Sequence, residues 1–213
     1  MPHLVWDWNG TLLDDLTLVV AATNASLAVL GGPAVTAEEH RRDFRRPIVE
    51  YYGGVLGRVI DDEEFVQLDK TFHLAYADGL LGCRLSIGAL EALGSWAGTQ
   101  SLLSMWFHDE LVPTVSRYGL DTYFARVDGL RDPVGGGPKA PHLVDHLRAQ
   151  GLSGQDCVLI GDSVDDAIAA RTVGAHCVLY TGGFTDAARL RTIGVPVADT
   201  LAEAARLAGQ LFT

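Results

Sequence analysis

The feature that most constrains this chain is a set of short apolar runs separated by helix-length segments. Leu4–Trp8 is short, apolar and closed by the turn pair Asn9-Gly10, which reads as a buried strand. Gln100–Met105, Cys157–Ile160 and Cys177–Tyr180 have the same texture, and Tyr123–Val127 is a weaker case. Between and after them lie helical stretches at about Ile87–Ala97, Glu110–Tyr118, Ala140–Gln150 and Asp165–Val173, with two more helices at the C-terminal end. Strands alternating with helices demand parallel βαβ units with right-handed crossovers. The expected fold is therefore α/β, a doubly wound parallel (Rossmann-like) sheet.

Residues 16–81 do not share this alternation. Leu16, Val19, Val20, Thr23 and Leu27 recur on one helix face, and Thr36-Ala37-Glu38-Glu39 makes a capped helix start. Pro47 and Gly53-Gly54 interrupt the region, and the acids 61–64 suit the positive end of another helix. The expected organisation is a core of residues 1–15 and 82–213 with a helical cap domain inserted at 16–81. Its hinges fall near Asp14–Leu16 and Leu80–Arg84.

Composition narrows the function. A formal net charge of −11 over 213 residues argues against a general nucleic-acid binder, which needs a basic face, and disfavours docking on anionic lipid. The uncharged stretch from Leu16 up to Glu38 is broken by Thr, Asn, Ser, Gly and Pro, so no membrane span is expected. Met1-Pro2-His3 carries no basic and apolar signal segment, and a cytoplasmic location is expected. Cys83, Cys157 and Cys177 show no CxxC spacing, and two sit in apolar runs as buried free thiols. Oligomeric state is not written in the sequence.

In an open α/β sheet, ligands bind outside the carboxyl ends of the strands. Three strands here end in polar residues: Asp7 after the first, Ser104 in the second and Asp162 after the fourth. Lys139 stands beside the loop Gly135-Gly136-Gly137 at a helix start. Two carboxylates, a hydroxyl and an ammonium are thus directed to one edge. Helix capping accounts for Asp162 or Asp165, but not for Asp7.

On these residues the chain resembles the haloacid dehalogenase superfamily, in the phosphoglycolate phosphatase-like branch with a helical cap after the first strand. The matching segments are Asp7-Trp8-Asn9-Gly10-Thr11-Leu12-Leu13-Asp14, Ser104, Lys139 and Gly161-Asp162 through Asp166, in the family's order. The resemblance implies a phosphatase acting on a small phosphorylated metabolite, with Asp7 as the nucleophile that forms an aspartyl-phosphate. Asp7 and the phosphate are both anions, so a hard cation is needed, and Mg²⁺ fits. By resemblance its ligands are the Asp7 side chain, the backbone carbonyl of Asn9 and Asp162, with Asp166 (or Asp165) supporting it through water. Ser104 donates to a phosphoryl oxygen, Lys139 binds phosphate and Asp7, and Thr11 orders the loop.

One position departs from the pattern. Most phosphatases of this family carry aspartate two residues after the nucleophile, where it protonates the leaving alcohol and later activates water; here it is Asn9. The backbone carbonyl survives the change, whereas general acid–base help, worth about 10²–10⁴-fold, is lost. Three readings follow: a slow or selective phosphatase for good leaving groups such as acyl or aryl phosphates, an enzyme in which another acid, from the cap or Asp14, takes over, or a binding or regulatory protein. A dehalogenase fits less well, because displacement at carbon gives the acids after Gly161 no purpose. Deamidation of Asn9-Gly10 would restore the acid, and an ordered loop resists it.

Weaker signals complete the reading. Arg45 and Arg46, within Arg41-Arg42-Asp43-Phe44-Arg45-Arg46, are the candidates for substrate specificity in the insert. His142 and His146 lie four apart on one helix without a third ligand, which is ordinary helix polarity rather than a zinc site. Of Trp6 and Trp8, one is expected beneath the sheet and the other as a wedge near the cap.

Overall fold

The computed structural model describes residues 2–132 and 134–212; Met1 and Thr213, the outer limits of the expected core, lie outside the described residues. Strand β1 (His3–Trp6) leads into the two-residue β2 (Leu13–Asp14) and then into helices α1 (Leu16–Val29), α2 (Ala37–Asp43), α3 (Ile48–Leu56) and α4 (Asp62–Gly79). The chain returns through β3 (Arg84–Leu85) to α5 (Ala89–Ser95), β4 (Thr99–Phe107), α6 (His108–Arg117), β5 (Arg126–Leu130) and α7 (Ala140–Ala149). It ends with β6 (Cys157–Gly161), α8 (Val164–Val173), β7 (His176–Tyr180), α9 (Ala187–Arg191), β8 (Val197–Ala198) and α10 (Leu201–Gln210).

Six strands form one sheet in the order β5-β4-β1-β6-β7-β8, all parallel. β1 is central, with His3 opposite both Thr99 and Cys157 in register. The order reverses at β1, so its carboxyl end is the topological switch point where such sheets open a crevice. Asp7 follows there.

The two-residue period of the strands sorts their side chains to opposite faces. Leu4, Trp6, Leu102, Val158 and Ile160 join one apolar cluster with α5 and α10, while Val5, Leu103, Leu159 and Cys177 join the other with α7 and α8. A sheet covered on both faces explains why its central strands are apolar throughout. β5 lies three residues beyond the expected start: Arg126-Val127-Asp128-Gly129-Leu130 is an edge strand that mixes charged and apolar residues, and edges do not require an apolar run.

Helices α1–α4 hold no strand, and their start signals are local. Thr36 and Asp61 each cap a helix with a reciprocal capping box, to Glu39 and Glu64. β2 and β3 pair antiparallel, Leu13 opposite Leu85 and Asp14 opposite Arg84, so the chain leaves for the helices and returns from them through one ribbon. Among the described residues no helix is long and apolar enough to cross a membrane. The three cysteines are free, Cys157 and Cys177 buried.

Candidate active site

The pocket is built from strand ends. Past β1, the Asp7 backbone nitrogen donates to Ile160 O at 2.9 Å, which fixes its side chain beside the end of β6. Past β6 stands Asp162, whose Oδ2 accepts from the backbone nitrogen of Phe184 (2.5 Å) and whose Oδ1 accepts from Thr11 Oγ1 (3.2 Å). Gly10 has φ +72, and a Cβ there would come within 2.6 Å of Asp162 Oδ2. The loop after the nucleophile therefore needs glycine on two counts. Ser163, not Asp162 or Asp165, caps α8, in a capping box with Asp166.

Lys139 enters from the start of α7. Its Nζ lies 2.7 Å from Asp7 Oδ1 and also bonds Asp166 Oδ1. Lys139, Asp7, Asp166 and the neighbouring Asp162 are all buried. Burial alone favours a neutral lysine, but Asp166 and Asp7 outweigh it and hold the ammonium above the ordinary lysine range. Burial pushes Asp7 up, and the charge of Lys139 opposes the rise. Asp162 is raised well above a normal carboxylate by burial and by the charges of Asp7 and Asp166. The Lys139 ammonium and the Arg46 guanidinium face four carboxylates, Asp7, Asp162, Asp165 and Asp166, which leaves the pocket short of positive charge.

That shortage is what a dication relieves. Asp7, Asp162 and Asp166 place oxygens within 4.8 Å of one another, against roughly 3–4 Å between oxygens sharing one Mg²⁺, so a small contraction suffices. The donors are hard oxygens, and the set fits. Asp166 already gives both oxygens away, one to Lys139 and the other to Ser163 N (3.0 Å) and Oγ (2.6 Å), which suits support from outside the metal's own ligands. Asp165 instead accepts from the backbone nitrogen of Lys139 at 2.8 Å and does not join the cluster.

Asn9 is locked. Its Nδ2 donates to Asp15 Oδ2 and to the Tyr76 hydroxyl, both at 2.8 Å, and its Oδ1 accepts from Ser104 Oγ at 2.9 Å. Tyr76, from α4, donates to Asp15 Oδ2 at 2.7 Å, and Gly10 N donates to Asp15 Oδ1 at 2.8 Å. Asp15 is 1% exposed, and burial lifts its carboxyl to about 6. A carboxylate at position 9 would face this acid directly; an amide supplies the donor that Asp15 requires. The half-buried amide is thus matched to a buried acid that the sequence alone does not single out. Asp14 is exposed.

Other expected residues fall into place unevenly. Ser104 gives its proton to Asn9 and accepts from Trp106 N (3.0 Å), so its hydroxyl reaches the pocket only through the amide. Arg46 lines the acidic pocket, donating to Gly137 O at 3.0 Å with its Nε 3.9 Å from Asp165, whereas exposed Arg45 bonds backbone oxygens of Asp43 and Glu50. Neither Trp6 nor Trp8 walls the pocket: Trp6 donates to Gln100 and Trp8 packs on Tyr118. That wall is made by Phe44, Met105 and Phe184. The cavity beside Asp7 measures about 30 Å³.

A second array resembles catalytic machinery. Ser101 Oγ lies 2.7 Å from His146 Nε2, and His146 Nδ1 lies 2.7 Å from Asp128 Oδ2. Ser101 is wholly buried and its hydroxyl is shared with His3 Nε2 at 2.7 Å, so no substrate meets it. His146 belongs to this network and not to a pair with His142.

Comparison with known proteins agrees with the geometry. Residues 134–204 match a family model described as HAD-hydrolase-like. A phosphoglycolate phosphatase from Mesorhizobium japonicum is 27% identical over 180 residues, covering 81% of this chain and 79% of that protein. Phosphoglycolate phosphatase 1 of Pseudomonas aeruginosa is 27% identical over 184 residues, covering 82% and 67%. The fold matches that of a hydrolase from Pseudomonas syringae with a TM-score of 0.78 at 23% identity, over 99% of each chain. Together with carboxylates at the ends of β1 and β6, these likenesses support a haloacid dehalogenase-like hydrolase that is similar to phosphoglycolate phosphatases.

Proposed function

We propose that this chain is a Mg²⁺-dependent phosphatase of a small phosphomonoester, working through a phosphoryl group carried on Asp7. The observation that carries this reading is the contact of Asp7 with Lys139 at 2.7 Å, inside a buried pocket that also holds Asp162 and Asp166. Lys139 keeps Asp7 ionised and meets the phosphoryl oxygens. Asp7, the backbone carbonyl of Asn9 and Asp162 would hold Mg²⁺, with Asp166 behind them. When bound, the ion screens Asp7 from the phosphate and neutralises charge on the oxygens in flight. Thr11 holds Asp162 in place. Residues 16–81 act as the cap over the core of 1–15 and 82–213, and Arg46 reaches from the cap to the pocket. The substrate is a small phosphorylated metabolite, with no nucleic acid or membrane partner and a cytoplasmic setting.

Asn9 has no proton to exchange and none of its hydrogen-bonding groups is idle, so turnover is slow or restricted to good leaving groups. The same locked amide favours a second reading, a phosphate-binding or regulatory protein on this pocket. Phosphate release from a metabolite panel with and without Mg²⁺, with Asp7→Asn as control, tests both. Release that needs Mg²⁺ and is lost in Asp7→Asn supports the phosphatase. Beryllium fluoride binding without any release supports the binder.

A further inference from the structure

We propose that the substrate's leaving group is a single aromatic ring, seated between the helical insert and the core. This rests on the phosphatase reading of the acidic pocket. Beside that pocket lies a second cavity of about 100 Å³, walled by Tyr51, Tyr52, Phe72, Tyr76 and Trp106. The two share Asn9, Phe44, Arg46, Met105 and Phe184, so they adjoin, with the acids on one side and the rings on the other.

The walls are rings packed on one another. Phe72 stacks on Tyr76 with centroids 5.8 Å apart and planes at 15°, and Trp106 meets Tyr76 edge-on at 5.5 Å. Phe44 meets Phe184 edge-on at 5.8 Å on the side that borders the acids. These are the face and edge geometries in which aromatic groups attract. An apolar protein cavity of about 150 Å³ holds benzene, so one ring fits here after a small outward shift of the walls, and two do not.

Charge points the same way. A leaving group with a carboxylate would meet Asp69 on the wall, and Arg46, the arginine that lines the space among the described residues, is already turned to Gly137 O and Asp165. Burial holds His40 neutral, at about 4. The nitrogens His40 Nε2, His73 Nδ1 and Trp106 Nε1 are buried on lining residues without a hydrogen-bond partner. A polar substituent on the ring would supply one.

The chemistry closes the case without an acid at position 9. A phenol ionises near pKa 10, as tyrosine does, against about 15.7 for water. An Asp7 oxygen forms the bond to phosphorus while the phosphorus–oxygen bond to the ring breaks. The electron pair leaves on the aryl oxygen as phenolate, which takes its proton from water afterwards. Water then attacks phosphorus, loses its proton to solvent, and frees inorganic phosphate and the Asp7 carboxylate.

Competition by phenylphosphonate and methylphosphonate isolates the ring, because neither is hydrolysed and both carry the same anion. With Mg²⁺ present, the phenyl compound is expected to bind about 10- to 100-fold tighter, from burial of one ring. Phe72→Ala should shrink that ratio, and kcat/KM for phenyl phosphate should exceed that for 2-phosphoglycolate. Equal binding of the two phosphonates, or preference for 2-phosphoglycolate, overturns the aromatic assignment and leaves the phosphatase standing. If neither phosphonate nor inorganic phosphate binds, the phosphatase reading falls with it.

Discussion

Two buried polar arrays sit on the same sheet and look alike on paper. Ser101, His146 and Asp128 form a closed chain of 2.7 Å contacts, extended by His3, in which the serine hydroxyl is shared between two histidines and out of solvent's reach. Asp7, Asp162, Asp166 and Lys139 form an array that is open: it borders a cavity and carries more negative than positive charge. The closed array has the geometry of a hydrolase triad and no access; the open one borders a cavity with negative charge in excess, which is what the proposed cation would relieve. Unbalanced charge beside a cavity, rather than hydrogen-bond distance, separates a working site from a structural network.

The sharpest break between the two is turnover. Asp7→Asn should lower phosphate release by at least about 10³-fold, as loss of a nucleophile does, while Ser101→Ala should stay within about threefold. A comparable loss from Ser101→Ala would erase the distinction. Next comes the exchange Asn9→Asp with Asp15→Asn, which keeps one acid and one amide but moves the acid to the leaving group. Rates on alkyl phosphates should rise about 10²–10⁴-fold, whereas Asn9→Asp alone should gain less because two buried carboxylates would share one proton.

Stability should also split the arrays. Lys139→Met strands buried carboxylates and should cost about 3–5 kcal/mol in urea unfolding. Asp162→Asn removes repulsion and should stabilise the protein in chelator. Opposite signs at neighbouring positions are the signature of excess charge, and two losses would argue against it. In the closed array, Ser101→Ala leaves both histidines short of a partner and should cost about 1–3 kcal/mol.

The smallest effect is on pH. Burial holds both His3 and His40 at about 4, below the ordinary 6.5. The unfolded chain takes up these protons first, so stability is full above about 6.5 and falls as pH drops towards 4. A melting temperature that climbs over that interval on acidification would contradict the burial of both imidazoles as neutral groups.

What could be read from the chain follows from where information is local. Asp7 and Asp162 were legible because each stands at the end of an apolar strand, and Lys139 because it follows a glycine loop at a helix start. Asp15 was not: beside exposed Asp14 it looks like a helix start, and its meaning depends on Tyr76, sixty-one positions away, folding back onto it. The aromatic cavity was hidden for the same reason, since Tyr51, Phe72 and Tyr76 each resemble the apolar face of a helix until the helices are packed. β2, β3 and β8 have two residues apiece, too few to show a period.

The most direct measurement is to quench the enzyme in acid during turnover with Mg²⁺ and map the phosphoryl group by peptide mass spectrometry. One phosphoryl group on Asp7, sensitive to hydroxylamine and missing in Asp7→Asn, is the predicted result. Phosphate release with Asp7 never modified, or with the group on another residue, would contradict the account.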